Sequence, residues 1–410
     1  MKRVWLITVG EPSPLEKDRL HRTGLLSEYL EGAGFEVTLF NSTFYHQKKR
    51  QRFKETQLID LSKNRKLVFL YGRSYRKNIS LNRVISNYDN VKAFKSIANS
   101  LKKPDCIIVA FPILGLVKEA VKFGKKNNVK VCIDIRDFWP DVFYGIFPKK
   151  FQFLVKPLFF KFNKSLSYSF MSADILLSPF QSTKQWLTKY LELKKLNSSF
   201  LSIPFSYQRS FYMLDDIPSD LRSLFNGSHK YSQFNFVLAG TISQNTNIED
   251  LLIFSKILQE RAVEHKIIIC GDGPYLQDYK KLANNNPNIV FTGFLGKEEL
   301  SFVLDNSTFG LLPYKAEHLV QGIPNKAIEY SSFGLPLIVN KEMHFTHDPD
   351  YLNCIIKYNS GEIGKLVDEI VSLDSNKIKQ MSYFAEELFI NNFSPKKIYS
   401  QYHDLVKKLT

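Results

Sequence analysis

The run Gln321-Gly322-Ile323-Pro324-Asn325-Lys326-Ala327-Ile328-Glu329-Tyr330 places a lysine and a glutamate three residues apart, just inside a helix that a proline opens. Proline suits the first helical turn, where its missing N–H would have no partner, and Gly334 shortly before Pro336 is a helix-ending pattern. The spacing predicts a helix over 324–333 and an apolar strand over 337–340. The free amides at the helix start, around Ile323, Pro324, Asn325 and Lys326, suit a phosphate, and Lys326 adds a positive charge. Glu329, about one turn further in, suits hydrogen bonds from paired sugar hydroxyls. Phosphate beside sugar is the chemistry of a bound nucleotide.

Other turns join this candidate. Leu238-Ala239-Gly240-Thr241-Ile242-Ser243-Gln244 follows an apolar run and precedes a helical pattern over 248–262. A small residue at such a turn lets backbone N–H groups approach phosphate oxygens, which brings in Gly240, Thr241 and Gln244; a tight turn with no ligand is the alternative. Gly271-Asp272-Gly273-Pro274 is a structural turn in which Asp272 can cap the next helix, or else a ligand contact. In the first half, Gly10-Glu11-Pro12 follows the first apolar run, and Arg19 and Arg22 stand at the start of the next helix. Loops at strand carboxyl ends line the ligand crevice of α/β sheets, so Glu11, Arg19 and Arg22 are acceptor or phosphate candidates, with solvated surface charge as the alternative. Asp137, in Asp134-Ile135-Arg136-Asp137-Phe138-Trp139, is a catalytic candidate near the acceptor, or the partner of Arg136 in a structural ion pair.

The elements that must hold these residues are legible as short apolar runs alternating with helical patterns. Strands are expected at 4–9, 36–40, 66–71, 106–110, 131–135 and 175–177, then at 234–239, 266–270, 289–291, 309–312, 337–340 and 354–357. Two successive sets of β–α alternation predict two doubly wound parallel sheets with ligand in the cleft between them. The linker falls near 202–207. With 410 residues and 44% hydrophobic content, the chain can build two cores.

Charge is uneven. Residues 1–200 hold 36 Lys and Arg against 16 Asp and Glu, or +20, while the remainder holds 20 against 24, or −4. One half is built to face something anionic. Lys149, Lys150, Lys156, Lys161 and Lys164 fall in one arc of a helical projection, with Phe151, Leu154, Val155, Leu158, Phe159 and Phe162 opposite. Such a helix lies on an anionic membrane surface, or packs its apolar side on its own sheet. Basic clusters at 48–54, 63–66 and 73–77 favour the anionic surface. Cys106, Cys132, Cys270 and Cys354 show no metal or redox spacing and are read as buried thiols in a reducing compartment. The opening residues read as a first strand rather than a leader, and no apolar run reaches the roughly 18 residues that span a bilayer. A cytoplasmic protein, peripheral at the membrane, is expected.

The Pro-x-Lys-x-x-Glu-Tyr helix followed by a Gly-x-Pro strand resembles the retaining glycosyltransferases of GT-B fold, particularly bacterial members that build surface polysaccharides. The resemblance extends through Cys270-Gly271-Asp272-Gly273-Pro274, Phe291-Thr292-Gly293-Phe294-Leu295, Gly310-Leu311-Leu312-Pro313-Tyr314, Arg22-Thr23-Gly24 and Asp134-Ile135-Arg136-Asp137. It implies an α/β, GT-B fold with domains over 1–204 and 205–389, the last residues, 390–410, crossing back to the first. It also implies a nucleotide-sugar donor, most readily a UDP-sugar, transferred with retention to a lipid-linked or polysaccharide acceptor, without cofactor or essential metal. Glu329 takes the ribose, Phe294 and Leu295 the base, Ile323 to Lys326 and Gly240 the diphosphate, and Gln321 the sugar. The sequence departs from the family at three points. Gln321 stands where relatives have a second glutamate, Gln244 and its neighbours stand where they have a cation after the glycine, and no histidine follows the strand at 106–110. A catalytically silent sugar-nucleotide or glycan-binding subunit is the alternative. A nucleic-acid-binding role for the basic, aromatic-rich first half is a weaker one, since no nucleic-acid-binding motif accompanies it.

Overall fold

The computed structural model describes residues 1–410 except 17, 19, 78–79, 142–151, 226–233, 285 and 316–321. The chain forms two compact units, Met1–Pro204 with Ile398–Thr410, and Phe205–Lys397. Each expected strand is present, its ends within two residues of expectation.

In the first unit eight strands lie in the order Phe200–Ser202, Ile175–Ser178, Lys130–Ile135, Cys106–Phe111, Arg3–Ile7, Glu36–Ser42, Arg65–Leu70, Gln57–Asp60. All pairs are parallel except the last. Strand Arg3–Ile7 can be central because Val4, Trp5, Leu6 and Ile7 are all buried, so it meets an apolar layer on both faces. On one side Trp5 and Ile7 pack with Phe94, Val117 and Phe170 from helices Leu81–Ala98, Leu114–Asn127 and Gln152–Ser172. On the other, Val4 and Leu6 pack with Leu26 and Leu30 from helix Arg22–Gly32 and with Ile398, Tyr402 and Leu405 from helix Pro395–Leu409. The return to this unit therefore begins at Ile398 rather than 390, and helix Ser375–Asn392 stays with the second unit.

The second unit is a six-stranded parallel sheet in the order Ile289–Gly293, His265–Cys270, Phe234–Ala239, Phe309–Leu312, Leu337–Asn340, Ile355–Tyr358. The order reverses between Phe234–Ala239 and Phe309–Leu312, the place where open α/β sheets leave a crevice at their strand ends. Helix packing covers both faces.

Three short elements escape the sequence reading. Gln57–Asp60 alternates half-buried and exposed residues at a sheet edge, with too little apolar content to stand out. Phe200–Ser202 and the hairpin of Phe44–Tyr45 with Arg50–Gln51 are only two or three residues long. The basic clusters are also less available than their charge suggests. Arg50 and Arg52 pair with Glu16, Lys48 with Asp18, Arg65 with Glu28 and Glu31, Lys66 with Asp60, and Arg73 with Asp89. Among the described residues no helix is long and apolar enough to cross a membrane. All four cysteines are buried and free, and burial pushes Cys106, Cys270 and Cys354 up to about 12.

Arg22 ties the returning helix down. Its Nε donates to the Tyr402 hydroxyl, its Nη2 donates to the Ile203 carbonyl at 2.8 Å, and its Nε lies 3.7 Å from Asp134 Oδ2, all in a buried setting. Breaking a buried ion pair by removing one partner is costly, because the other charge stays buried. Arg22→Ala is expected to lower unfolding free energy by about 3 kcal/mol, read from urea denaturation. Tyr402→Phe, which leaves the charges paired, is expected to cost only about 1 kcal/mol.

Candidate active site

The helix that carries Glu329 runs Asn325–Ser332, with Pro324 in extended backbone at its N-cap. No side chain caps that end and no acidic residue occupies its first turn, so the helix start keeps its positive character. Gly334, at φ +62°, lets the chain turn sharply, and the Leu335 amide donates back to the Tyr330 carbonyl at 3.0 Å.

Tyr330 positions this helix at the reversal of strand order. Its ring is fully buried and its hydroxyl accepts from the Ala239 amide at 2.7 Å, the last residue of the strand before Gly240. The ring also crosses Gly310 so closely that a Cβ there would meet Tyr330 Cδ2 at 2.3 Å. Both strands at the reversal thus contact the helix through one side chain. As a result Lys326 reaches Gly240: a Cβ on that glycine would lie 2.7 Å from Lys326 Cε and 3.3 Å from Nζ. Gly240 is exposed at φ +112°, its own amide donating to the Cys270 carbonyl at 2.8 Å.

Burial pushes the Lys326 ammonium down to about 8, and nearby Glu329 opposes that shift. Glu329 itself is buried. Lys326, the amides that open its helix and Gly240 therefore form one cationic corner, with a carboxylate one turn away.

The neighbouring turns support the corner by close packing. Gly271 and Gly273 are required by close packing, since a Cβ on either would come within 1.9 Å of the Gly240 carbonyl oxygen or 2.1 Å of that of Ile242. Asp272 does not cap the following helix Leu276–Ala283; its Oδ1 accepts from the Gly273 amide at 2.7 Å and its carbonyl from Ile242 at 3.0 Å. Thr241 and Gln244 are exposed, and Gln244 accepts from the Tyr275 hydroxyl at 3.3 Å. Helix Ile248–Glu260 is capped by Asn247 and carries Glu249 and Asp250 in its first turn, a poor place for phosphate. Phe294 is 83% exposed just after the strand ending at Gly293, while Leu295 packs on the core. Ile323 packs on the same core and Asn325 is exposed. Gln321 lies outside the described residues.

In the first unit the strand order reverses beside Arg3–Ile7. Here Arg136 donates to Glu11, to Asp134 Oδ2 at 2.9 Å and to Thr23 Oγ1 at 2.6 Å. Glu11 is buried in this network, and Arg22 in its structural tie, so neither is presented as a surface acceptor contact. Arg136 pairs with Glu11 and Asp134 rather than with Asp137, which stays exposed. The surrounding protein nevertheless raises the Asp137 carboxyl above its ordinary value, against the pull of Arg136 and Arg83.

The sequence reading missed His46. It packs against Gly10, where a Cβ would meet its own Cβ at 3.1 Å, and its Nδ1 lies 2.6 Å from the Tyr75 hydroxyl and 3.2 Å from Lys49 Nζ. Burial, with Lys49 and Arg83, pushes His46 down to about 4, so its ring is neutral at pH 7. The only sequence signal was its position ahead of a basic run.

Arg19, Lys149 and Lys150 lie outside the described residues, as does the side chain of Lys156. Lys161 and Lys164 are exposed, whereas Phe162, from the apolar arc of the same helix, packs on its own sheet. Asp348 accepts from the Asp350 amide at 3.1 Å and caps a short turn. Among the described residues no three His, Cys, Asp or Glu side chains gather as metal ligands.

Residues 233–373 match the family model described as Glycosyl transferases group 1. The chain is 25% identical over 178 residues to the alpha-monoglucosyldiacylglycerol synthase of Streptococcus pneumoniae, a match spanning 40% of this chain and only 37% of that relative. It is 23% identical over 328 residues to the 2-deoxystreptamine N-acetyl-D-glucosaminyltransferase of Niallia circulans, covering 71% of this chain and 79% of that one. Sucrose-phosphate synthase from Thermosynechococcus elongatus superposes with a TM-score of 0.70 at 15% identity, over 100% of this chain and 99% of that one. Anabaena HepE, solved in complex with UDP, superposes at 0.65 and 11% identity over 100% of both chains. Residues 233–373 are thus similar to the Glycosyl transferases group 1 model, and the chain has the GT-B fold, two Rossmann-like α/β units, of these solved structures.

Proposed function

We propose that this protein is a glycosyltransferase moving a sugar from a nucleotide-sugar donor, a UDP-sugar, to a lipid-linked or polysaccharide acceptor in cell-surface glycan synthesis, with retention and without a metal. The observation that carries this reading is Lys326 lying over Gly240, with Glu329 one turn further into the same helix. Cleaving a sugar from a diphosphate leaves negative charge on the departing oxygens, and pre-placed donors at that spot lower the barrier. Lys326 and the amides around it supply such charge from a helix, where relatives place a cation in the loop. This favours an active transferase over a silent subunit.

Glu329 would hold the ribose hydroxyls and the exposed Phe294 would flank the base. Asp137, with its raised carboxyl at a strand end of the first unit, would receive the acceptor hydroxyl's proton. The relative that makes a glucosylated diacylglycerol supports a lipid acceptor, and the neighbour bound to UDP supports that base.

UDP without metal is expected to raise the melting temperature of the wild type through binding linkage. Glu329→Ala is expected to weaken UDP at least about tenfold, the loss of charge-assisted hydrogen bonds, while keeping a native melting temperature in its absence. Equal UDP affinity of variant and wild type would remove Glu329 from the site.

Lys326 gives the site a pH signature. A diphosphate beside an ammonium that titrates near 8 favours its charged form, so binding draws in a proton once free Lys326 begins to deprotonate. UDP affinity is expected to fall as pH rises through about 8. Calorimetry in buffers of different ionisation heat at that pH is expected to show proton uptake, absent in Lys326→Met.

A further inference from the structure

Helix Leu81–Ala98 is amphipathic the wrong way round over its first turns. Its inward face there is polar: Ser86, Asp89 and Asn90 are buried. Its outward face is apolar, with Leu81 at 81%, Val84 at 64%, Ile85 at 37% and Tyr88 at 67% exposure. These fall at i, i+3, i+4 and i+7, one continuous stripe rather than scattered surface residues.

The inversion is locked. Asn90 Nδ2 donates to the carbonyls of Leu70 at 3.1 Å and Tyr71 at 2.8 Å, beneath Gly72, where a Cβ would strike that nitrogen at 2.5 Å. Asp89, the helix's one carboxylate, turns inward to Arg73 at 2.7 Å. Rotating the helix to bury the stripe would strand a buried amide and a carboxylate, so the apolar face stays in water unless something covers it. Around it stand exposed Arg76 and Lys77 on the approach and exposed Lys92 beyond, with no acidic side chain on the helix's outer face.

An apolar stripe bordered by cations fits the boundary of a bilayer with anionic headgroups, where the stripe enters the acyl region and the cations meet phosphate. We propose that the first turns of this helix are the face by which the protein seats on an anionic membrane. The inference rests on the reading that the acceptor is lipid-linked, and it names a membrane contact other than the lysine-rich helix Gln152–Ser172, whose described Phe162 packs on the protein core.

The test is sedimentation with vesicles of phosphatidylcholine alone or mixed with phosphatidylglycerol. The wild type is expected to bind the mixed vesicles and to lose them as salt rises. Val84→Glu with Tyr88→Glu, both exposed in the fold, is expected to lower that partition at least about tenfold. Lys161→Glu with Lys164→Glu is expected to change it less than about threefold.

Retention of vesicle binding by the Val84, Tyr88 pair, or its loss only in the lysine pair, would overturn the assignment. So would a wild type that ignores both vesicles. Conversion of a wild-type dimer to monomer by the Val84, Tyr88 pair, without vesicle binding, would show a second copy of the chain as the occupant instead. The UDP melting shift read on the same proteins separates the two readings: an intact shift with no vesicle binding removes the membrane face alone, whereas vesicle binding with no UDP response removes the donor site alone.

Discussion

The hydrogen bond from the Ala239 amide to the Tyr330 hydroxyl is the constraint on which the second unit's site depends. A strand's last amide, deep in a parallel sheet, has no further ladder partner and pays heavily if left unpaired. Here a side chain from another element satisfies it, so the same contact that completes the strand also fixes helix Asn325–Ser332 at the reversal of strand order. Gly310 makes room for the ring, and Gly271 and Gly273 make room for the backbone of the neighbouring turn. Lys326 and Glu329 inherit their placement from that junction.

Much of this was legible because it is local. Pro324, Gly334 and Pro336 mark the helix and its stop by backbone preference alone, and continuous apolar runs mark strands buried on both faces. What escaped reading is set by partners distant in sequence. The resemblance already joins Lys326 and Gly240 at one diphosphate, but it does not give the means, which is Tyr330 bridging two strands. Arg22 resembles an anion ligand until Tyr402 and the Ile203 carbonyl are seen to occupy it. The runs around Arg52 and Arg65 count as positive charge in a composition, yet Glu16, Glu28 and Glu31 neutralise much of it in the fold. The orientation of helix Leu81–Ala98 is likewise set from a distance, by Asn90 donating to the Leu70 and Tyr71 carbonyls.

On the proposed reading, a helix lysine stands in for a loop cation, which changes the cation's character as well as its address. A loop arginine stays charged at any working pH, whereas a half-buried lysine beside a carboxylate is tuned by its surroundings. Its charge becomes conditional on what occupies the corner. The first unit treats charge in the opposite manner: Arg136 is held protonated by Asp134 and Glu11 even though burial works against it, and serves as a fixed strut.

The second unit is inserted, in chain order, between two segments of the first. During synthesis, then, the segment that begins the first unit leaves the ribosome long before Ile398 to Leu409, and the face formed by Leu26, Leu30 and Phe35 waits uncovered while the whole second unit is made. The Arg22 guanidinium waits with it, without Tyr402. The unit that appears first is thus finished last.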